Sequence, residues 1–429
     1  MNKNERTALV PRLRFPEYAV NSAIDFATGN VIFEPISNKN HNSDLPVLAI
    51  TQEHGAIPRD QIDYNVSVTD KSLESYKVVE IGDFIISLRS FQGGIEYSLY
   101  RGICSPAYII LRKRVPIVEQ YYKHYFKTGK FIQDLNKDLE GIRDGKMVSY
   151  SQFSAIMLPK PDRKEQQKIA DCLSSLDELI SAEDKKLEAL KSHKKGLMQK
   201  LFPAEGESVP EWRFPELRDS GEWEESTIGT AIETITDYVA AGSFADLRDK
   251  VNYLSAPNFA QLVRTIDIKN NFKNGNFVFI DESAFNFLWR VDLSTDAIIM
   301  PNIGANIGEV YFVRTSELPY ENNVLGPNAI LMRSKSNNDA FMFFLLCGDC
   351  FQGSLRTIVG ASGQPKFNKT DLKRISIRIA SLPEQQKIAD CLSSIDDLIN
   401  EQVKKIEALK IHKKGLMQGL FPSIEEVGG

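Results

Sequence analysis

A chain of 429 residues, 42% hydrophobic and 25% charged, has the composition of a soluble globular protein with room for roughly two to four domains. No apolar run approaches the ~18 residues of a membrane span, the N-terminus lacks the apolar stretch of a signal peptide, and an odd count of five cysteines reads as reduced thiols in a cytoplasmic protein. The net charge of −5 excludes a uniformly basic surface. Charge is nevertheless segregated: residues 204–235 hold nine acids against Arg213 and Arg218, whereas residues 353–374 hold Arg356, Lys366, Lys369, Lys373 and Arg374 against Asp371 alone. A local field of that kind can steer DNA despite a negative sum.

In chain order, residues 1–160 read as a mixed α/β region. Short strands are predicted at 47–50, 83–88 and 107–111. A helix at 117–135 turns Tyr121, Tyr122, Tyr125 and Phe126 toward a core, and a strand at 154–158 closes the region. Residues 161–203 form a long helix. Residues 204–380 repeat the mixed pattern with other residues: strands at 297–300, 309–313 and 329–332, a helix at 340–351 and a closing strand at 375–379. A second long helix occupies 381–422, and 423–429 is a tail.

The two helical segments are nearly the same sequence. Residues 165–203 and 384–422 differ at nine of 39 positions, with an offset of 219. Both begin Glu-Gln-Gln-Lys-Ile-Ala. A shorter echo lies upstream, Arg14-Phe15-Pro16-Glu17 and Arg213-Phe214-Pro215-Glu216. Apolar residues follow heptad spacing. The first segment has Ile169, Leu173, Leu176, Ile180, Leu187, Leu190, Leu197 and Leu201, broken by Glu183 and Lys194. The second has Ile388, Leu392, Ile395, Ile399, Ile406, Leu409, Leu416 and Leu420, broken by Gln402 and Lys413. This is a coiled-coil seam. Asp162 with Glu165, and Ser381 with Glu384, stand at capping-box spacing, and Pro203 and Pro422 stop the helices. Matching outer faces, Lys194-Lys195 and Lys413-Lys414, suit two copies of one partner about a pseudo-two-fold axis.

Two variable regions, each followed by a near-identical helix carrying EQQKIA, resemble the specificity (S) subunits of type I restriction-modification enzymes. Gly82-Asp83-Phe84-Ile85-Ile86, Gly93-Gly94 and Ser105-Pro106-Ala107-Tyr108 are similar to a run in that family's target-recognition domains. Trp223-Glu224 with Ile228-Gly229 resembles the usual domain opening. The resemblance implies an α+β chain of two mixed α/β target-recognition domains. Each would be followed by a long helix, the two helices packing as an antiparallel coiled coil with pseudo-two-fold symmetry. It further implies that each domain reads one half of a bipartite site in double-stranded DNA. The helices would space the halves and dock two modification (methyltransferase) subunits, and restriction (translocase/nuclease) subunits can join. The S-adenosylmethionine and ATP/Mg chemistry would belong to those partners, leaving this chain without cofactor, metal or membrane.

The residues themselves offer little catalysis. No amino-methyltransferase motif or GxGxxG occurs. Gly141-Ile142-Arg143-Asp144-Gly145-Lys146 is one residue short of a Walker A loop and is followed by Met147. Cys347-x-x-Cys350 has no second pair and reads as a buried helix face. What remains is loop chemistry suited to base edges and phosphates. The candidates are Lys39, Asn40, Arg89, Ser90, Gln92, Gly93, Arg143 and Lys146 in the first domain. In the second they are Arg290, Asn302, Asn306, Arg356, Gln364 and Lys366. Two other classes remain open on this reading: a coiled-coil scaffold whose variable domains bind protein, and a self-sufficient enzyme.

Overall fold

The computed structural model describes residues 11–19, 24–41, 44–62, 73–137, 148–273, 275–360 and 366–422. The chain packs as two units, 1–185 with 404–429 and 186–403. The division falls within both repeated segments. These form the helices Arg163–Leu201 and Leu382–Leu420, 39 residues each. Each unit therefore owns the start of one long helix and the end of the other.

In the first unit Ile169 and Leu173 share a core with Leu416 and Leu420. In the second, Leu197 and Leu201 pack with Ile388 and Leu392. Within each unit the helix segments thus run antiparallel. The apolar heptad positions of both helices are all buried or half-buried. The charged interruptions are neutralised rather than exposed. Glu183 accepts from Lys405 at 2.5 Å, Lys194 donates to both oxygens of Asp396 at 2.6 and 2.7 Å, and Lys413 donates to Asp177 Oδ1. Lys194 and Lys413 therefore turn inward, contrary to their expected place on an outer face. A lysine stem can lie along a half-buried seam while its ammonium reaches a carboxylate on the opposite helix. Lys195 and Lys414 remain exposed.

The two units share a strand plan. In the first, Phe33–Ile36, Ile109–Lys113, Phe84–Ile86 and Glu96–Tyr97 form an antiparallel four-stranded sheet in that order. In the second, Thr234–Asp237, Ala329–Arg333, Ala297–Pro301 and Tyr311–Val313 form the same order. Each unit also closes with an antiparallel pair of its first and last strands. These are Phe26–Thr28 with Met157–Pro159, and Glu224–Thr227 with Ser376–Ile379. The second unit adds a sheet of Val278–Ile280, Ala260–Val263 and Asn323–Leu325. The first has instead two separate pairs, Leu48–Thr51 with Gly55–Pro58 and Lys77–Val79 with Gly102–Cys104.

Three predicted elements come out differently. The helix expected at 117–135 is two, Glu119–Tyr125 and Gly129–Asn136, because Thr128 caps a new helix by accepting from Phe131 N at 3.3 Å. The helix at 340–351 likewise divides into Asp339–Cys347 and Asp349–Gly360 at Gly348. Cys347 and Cys350 therefore sit on different helices, Cys350 exposed, and do not form one buried face. Residues 154 and 155 end a helix, Tyr150–Ala155, whose Ser149–Gln152 capping box outweighs their strand pattern.

The repeated motifs clasp one another. Arg14 donates to both oxygens of Glu165 at 2.7 and 2.9 Å, and Arg213 to both of Glu384 at 2.9 and 3.2 Å. These carboxylates were expected to complete capping boxes; arginine engages them instead. The charge order continues, Lys168 meeting Glu17 at 3.3 Å and Lys387 meeting Glu216 at 2.9 Å. The next residue, glutamine, anchors the domain. Gln166 accepts from Val118 N and donates to Pro161 O, and Gln385 accepts from Asn338 N and donates to Ala380 O.

Candidate nucleic-acid interface

The shared strand plan places two loops in equivalent positions. One joins Phe84–Ile86 to Glu96–Tyr97, and the other joins Ala297–Pro301 to Tyr311–Val313. Each ends on a left-handed glycine, Gly94 at φ 81° and Gly308 at φ 80°. A Cβ on Gly94 would lie 1.9 Å from Phe126 O, and one on Gly308 2.9 Å from Leu355 Cδ2, so each loop is pressed against a following helix.

The first loop carries four candidates. Its backbone carbonyls are held from three directions. Gln52 donates to Arg89 O at 3.3 Å, Asn136 to Phe91 O at 2.7 Å and Lys127 to Gly93 O at 3.0 Å. Lys127 also donates to Glu96, 2.5 Å away. Glu96 is buried; burial pushes its pKa up against the pull of Lys127. With the backbone fixed, Arg89 and Gln92 stand exposed, adjacent on one helical turn. Ser90 is different: it is buried, and its Oγ accepts from Ser87 N at 2.9 Å, so it shapes the loop. Gly93 is half-buried, and a Cβ there would meet the Gln52 side chain at 2.5 Å. Lys39 and Asn40 are exposed in another segment, after Phe33–Ile36, where Asn40 N donates to Asn38 Oδ1.

The second loop carries Asn302 and Asn306, and its Ile303 bridges to Lys366. Asn302 donates from Nδ2 to Phe367 O at 3.2 Å, which ties the loop down. Asn306 is half-buried, and its Oδ1 accepts from Lys269 Nζ at 2.7 Å. Lys269, which sequence reasoning passed over, is held in turn by Glu309 at 2.8 and 3.2 Å. Arg356 is exposed on Asp349–Gly360, the helix that grips the loop through Gln352 and Gly308 O at 3.1 Å. Lys366 is exposed. Arg290 lies apart from these, exposed and stacked on Trp289 at 4.5 Å. Arg143, Lys146 and Gln364 lie outside the described residues, as does the Gly141–Lys146 run.

Among the described residues, no group of three or more His, Cys, Asp or Glu could hold a metal ion. Among the described residues, no single helix is long and apolar enough to cross a membrane.

Two units with one strand plan, different loop side chains and a repeated helix define a modular recognition protein. The chain belongs to the type I restriction modification DNA specificity domain family, whose model matches twice, at residues 24–192 and 222–410. It is a type I restriction-modification specificity subunit with two DNA-specificity domains. Among its relatives, the type I restriction enzyme MjaVIII specificity subunit of Methanocaldococcus jannaschii is 25% identical over 370 residues, covering 83% of this chain and 81% of that one. The MjaIX specificity subunit of the same organism is 21% identical over 366 residues, 82% and 80%. The crystal structure of a type I S subunit from M. genitalium shares the fold at a TM-score of 0.54 and 15% identity, covering 97% of this chain and all of that one.

Proposed function

We propose that each unit reads one half of a bipartite, asymmetric DNA site, that the long helices set the spacing of the halves and dock two modification subunits, and that restriction subunits can join. This chain acts in the cytoplasm and contributes no catalytic group. S-adenosylmethionine- and ATP/Mg-dependent chemistry is carried by the partners. One observation supports this reading above the rest: the same loop, in the same strand order, presents Arg89 and Gln92 in one unit and Asn306 in the other. A shared scaffold with exchanged polar tips is what direct readout of two different half-sites requires, since base edges are told apart by donor and acceptor pattern. Exchanging residues 220–380 for those of another specificity subunit leaves the Arg213–Glu384 clasp in place. Methylated-site mapping of the assembled complex should then show one new half-site and one unchanged. A change in both halves would end the modular reading.

A further inference from the structure

Asn306 does not choose its own orientation. An asparagine amide offers a donor on one side and an acceptor on the other. Here Oδ1 faces Lys269 Nζ at 2.7 Å. An ammonium can only donate, so rotating the amide would set two donors against each other. Lys269 is itself fixed, because both Glu309 oxygens accept from it, at 2.8 and 3.2 Å. Glu309 also accepts from the Tyr311 hydroxyl. Burial works against its ionised form, but the hydrogen bonds from Lys269 and Tyr311 prevail and hold its pKa below the usual carboxylate value. The chain of contacts runs from strand Tyr311–Val313 through the helix Thr265–Lys269 to the loop. Lys269, its central member, neighbours the loop without belonging to it, and Glu309 lies in the loop just before the exit strand.

The first unit has a counterpart made from different parts. Lys127 spans the buried Glu96, at the start of the strand after the loop, and the loop carbonyl of Gly93. In both units a glutamate at or just before the start of the loop's exit strand pins a lysine, and the lysine pins the loop. The lysines come from unrelated places, Lys127 after that strand and Lys269 before it. The brace has thus been assembled twice on one scaffold.

We propose that Lys269 is a specificity-determining positioning residue: by tying up Oδ1 of Asn306 it leaves the Nδ2 donor as the face offered to DNA, so that this residue selects an acceptor on the base edge. The inference rests on the reading of this loop as DNA-contacting. Bidentate recognition of adenine needs the amide to donate and accept together. With Oδ1 turned toward Lys269, Nδ2 is the group left to donate, and a single base-edge acceptor such as guanine N7 or O6, thymine O4 or adenine N7 is favoured over the two-point adenine pattern. Because its charge is matched by Glu309, Lys269 serves as a hinge pin and not as a phosphate contact.

The test is methylated-site mapping with the full chain in its assembled complex, comparing Asn306→Ala, Lys269→Met, Lys269→Arg and Glu309→Gln. Asn306→Ala and Lys269→Met should relax the same single position of the second half-site. Discrimination there should fall about tenfold, and the first half-site should be unchanged. Lys269→Arg, which still donates, should retain discrimination. Glu309→Gln, which keeps the lysine but loosens it, should give a smaller loss at that position, and it carries the test if Lys269→Met melts early. Relaxation by Asn306→Ala with no change in Lys269→Met and Glu309→Gln would overturn the positioning role while leaving the loop a DNA reader. No effect of Asn306→Ala would remove the loop from the DNA contact, and this proposal with it.

Discussion

Arg213 and Glu384 meet side on, Nε to Oε1 at 2.9 Å and Nη2 to Oε2 at 3.2 Å, with 6% and 2% of their side chains exposed. The pair fastens the segment that enters the second domain to the start of the helix that leaves it. Arg14 and Glu165 repeat it in the other unit. A buried pair of this kind adds little relative to an apolar replacement, but breaking it strands a charge.

Arg213→Met should therefore destabilise the second unit by about 3–5 kcal/mol, because Glu384 stays buried and unpaired. Arg213→Met combined with Glu384→Met should recover most of that loss. Urea denaturation of the single and double variants measures both. A single variant within about 1 kcal/mol of the parent would mean that Glu384 finds water or another donor.

His124 ties stability to pH. It is buried, its Nε2 lies 3.3 Å from Ser174 Oγ, and its Nδ1 lies 3.9 Å from Asp177. Burial first, then the Lys413 and Lys123 charges, push its pKa down to about 4, against the pull of Asp177. Its unfolded value is about 6.5. Between these values the unfolded chain binds a proton that the folded chain refuses, so stability falls as pH drops from 6.5 toward 4. The position matching His124 in the second unit is Phe344, counted from Val118 and Asn338, whose amides the two glutamines accept from. There Lys194 stands over the ring at 5.1 Å. His124→Phe should therefore fit, and should reduce the acid-side loss relative to the parent by up to a few kcal/mol. Identical slopes of melting temperature against pH for the two proteins would refute it.

The long helices were legible because heptad spacing and near-identity are properties of consecutive residues. The four-stranded sheets were legible in part: Ala297–Pro301 and Ala329–Arg333 lie close to their predicted ranges, since short apolar runs of β-formers carry the signal. The clasp was not read. Glu165 at capping distance from Asp162 satisfied a local rule, while its partner Arg14 lies 151 residues away. A signal was available, for each echo holds complementary charges, Arg and Glu in one and Glu and Lys in the other. Lys269 was missed for a different reason. It lies in an ordinary short helix, and only the fold brings it to Asn306, 37 residues on.

Arg89 and Gln92 are the exposed tips of a loop whose carbonyls are held by Gln52, Asn136 and Lys127. Alanine at both should weaken recognition of the first half-site, by roughly 1–3 kcal/mol per bidentate base contact, and leave the second intact. Methylation mapping separates the outcomes. Equal weakening of both halves would assign these side chains to phosphate, and no change would place the reading surface elsewhere.

If the long helices act as a ruler, their pairing dictates how to lengthen them. Asp177 with Lys413 and Glu183 with Lys405 belong to one unit, and Lys194 with Asp396 to the other. An insertion in one helix alone would pull such pairs out of register. Inserting four residues after Lys185 and four after Lys404 avoids this. In each ion pair one partner lies before its insertion and the other after, so both units keep their internal register. All four lysines at these junctions, Lys185, Lys186, Lys404 and Lys405, are exposed. Four residues extend a helix by about 6 Å and turn it by roughly 1.1 turns, and a four-residue insertion keeps a coiled coil continuous. At ~3.4 Å per base pair, the gap between half-sites should grow by one or two base pairs with both halves unaltered. Two residues in each helix would turn the downstream part of that helix by roughly 200°, and activity should be lost. An active complex whose methylated sites keep the parental gap after the four-residue insertions would show that the helices do not measure the site.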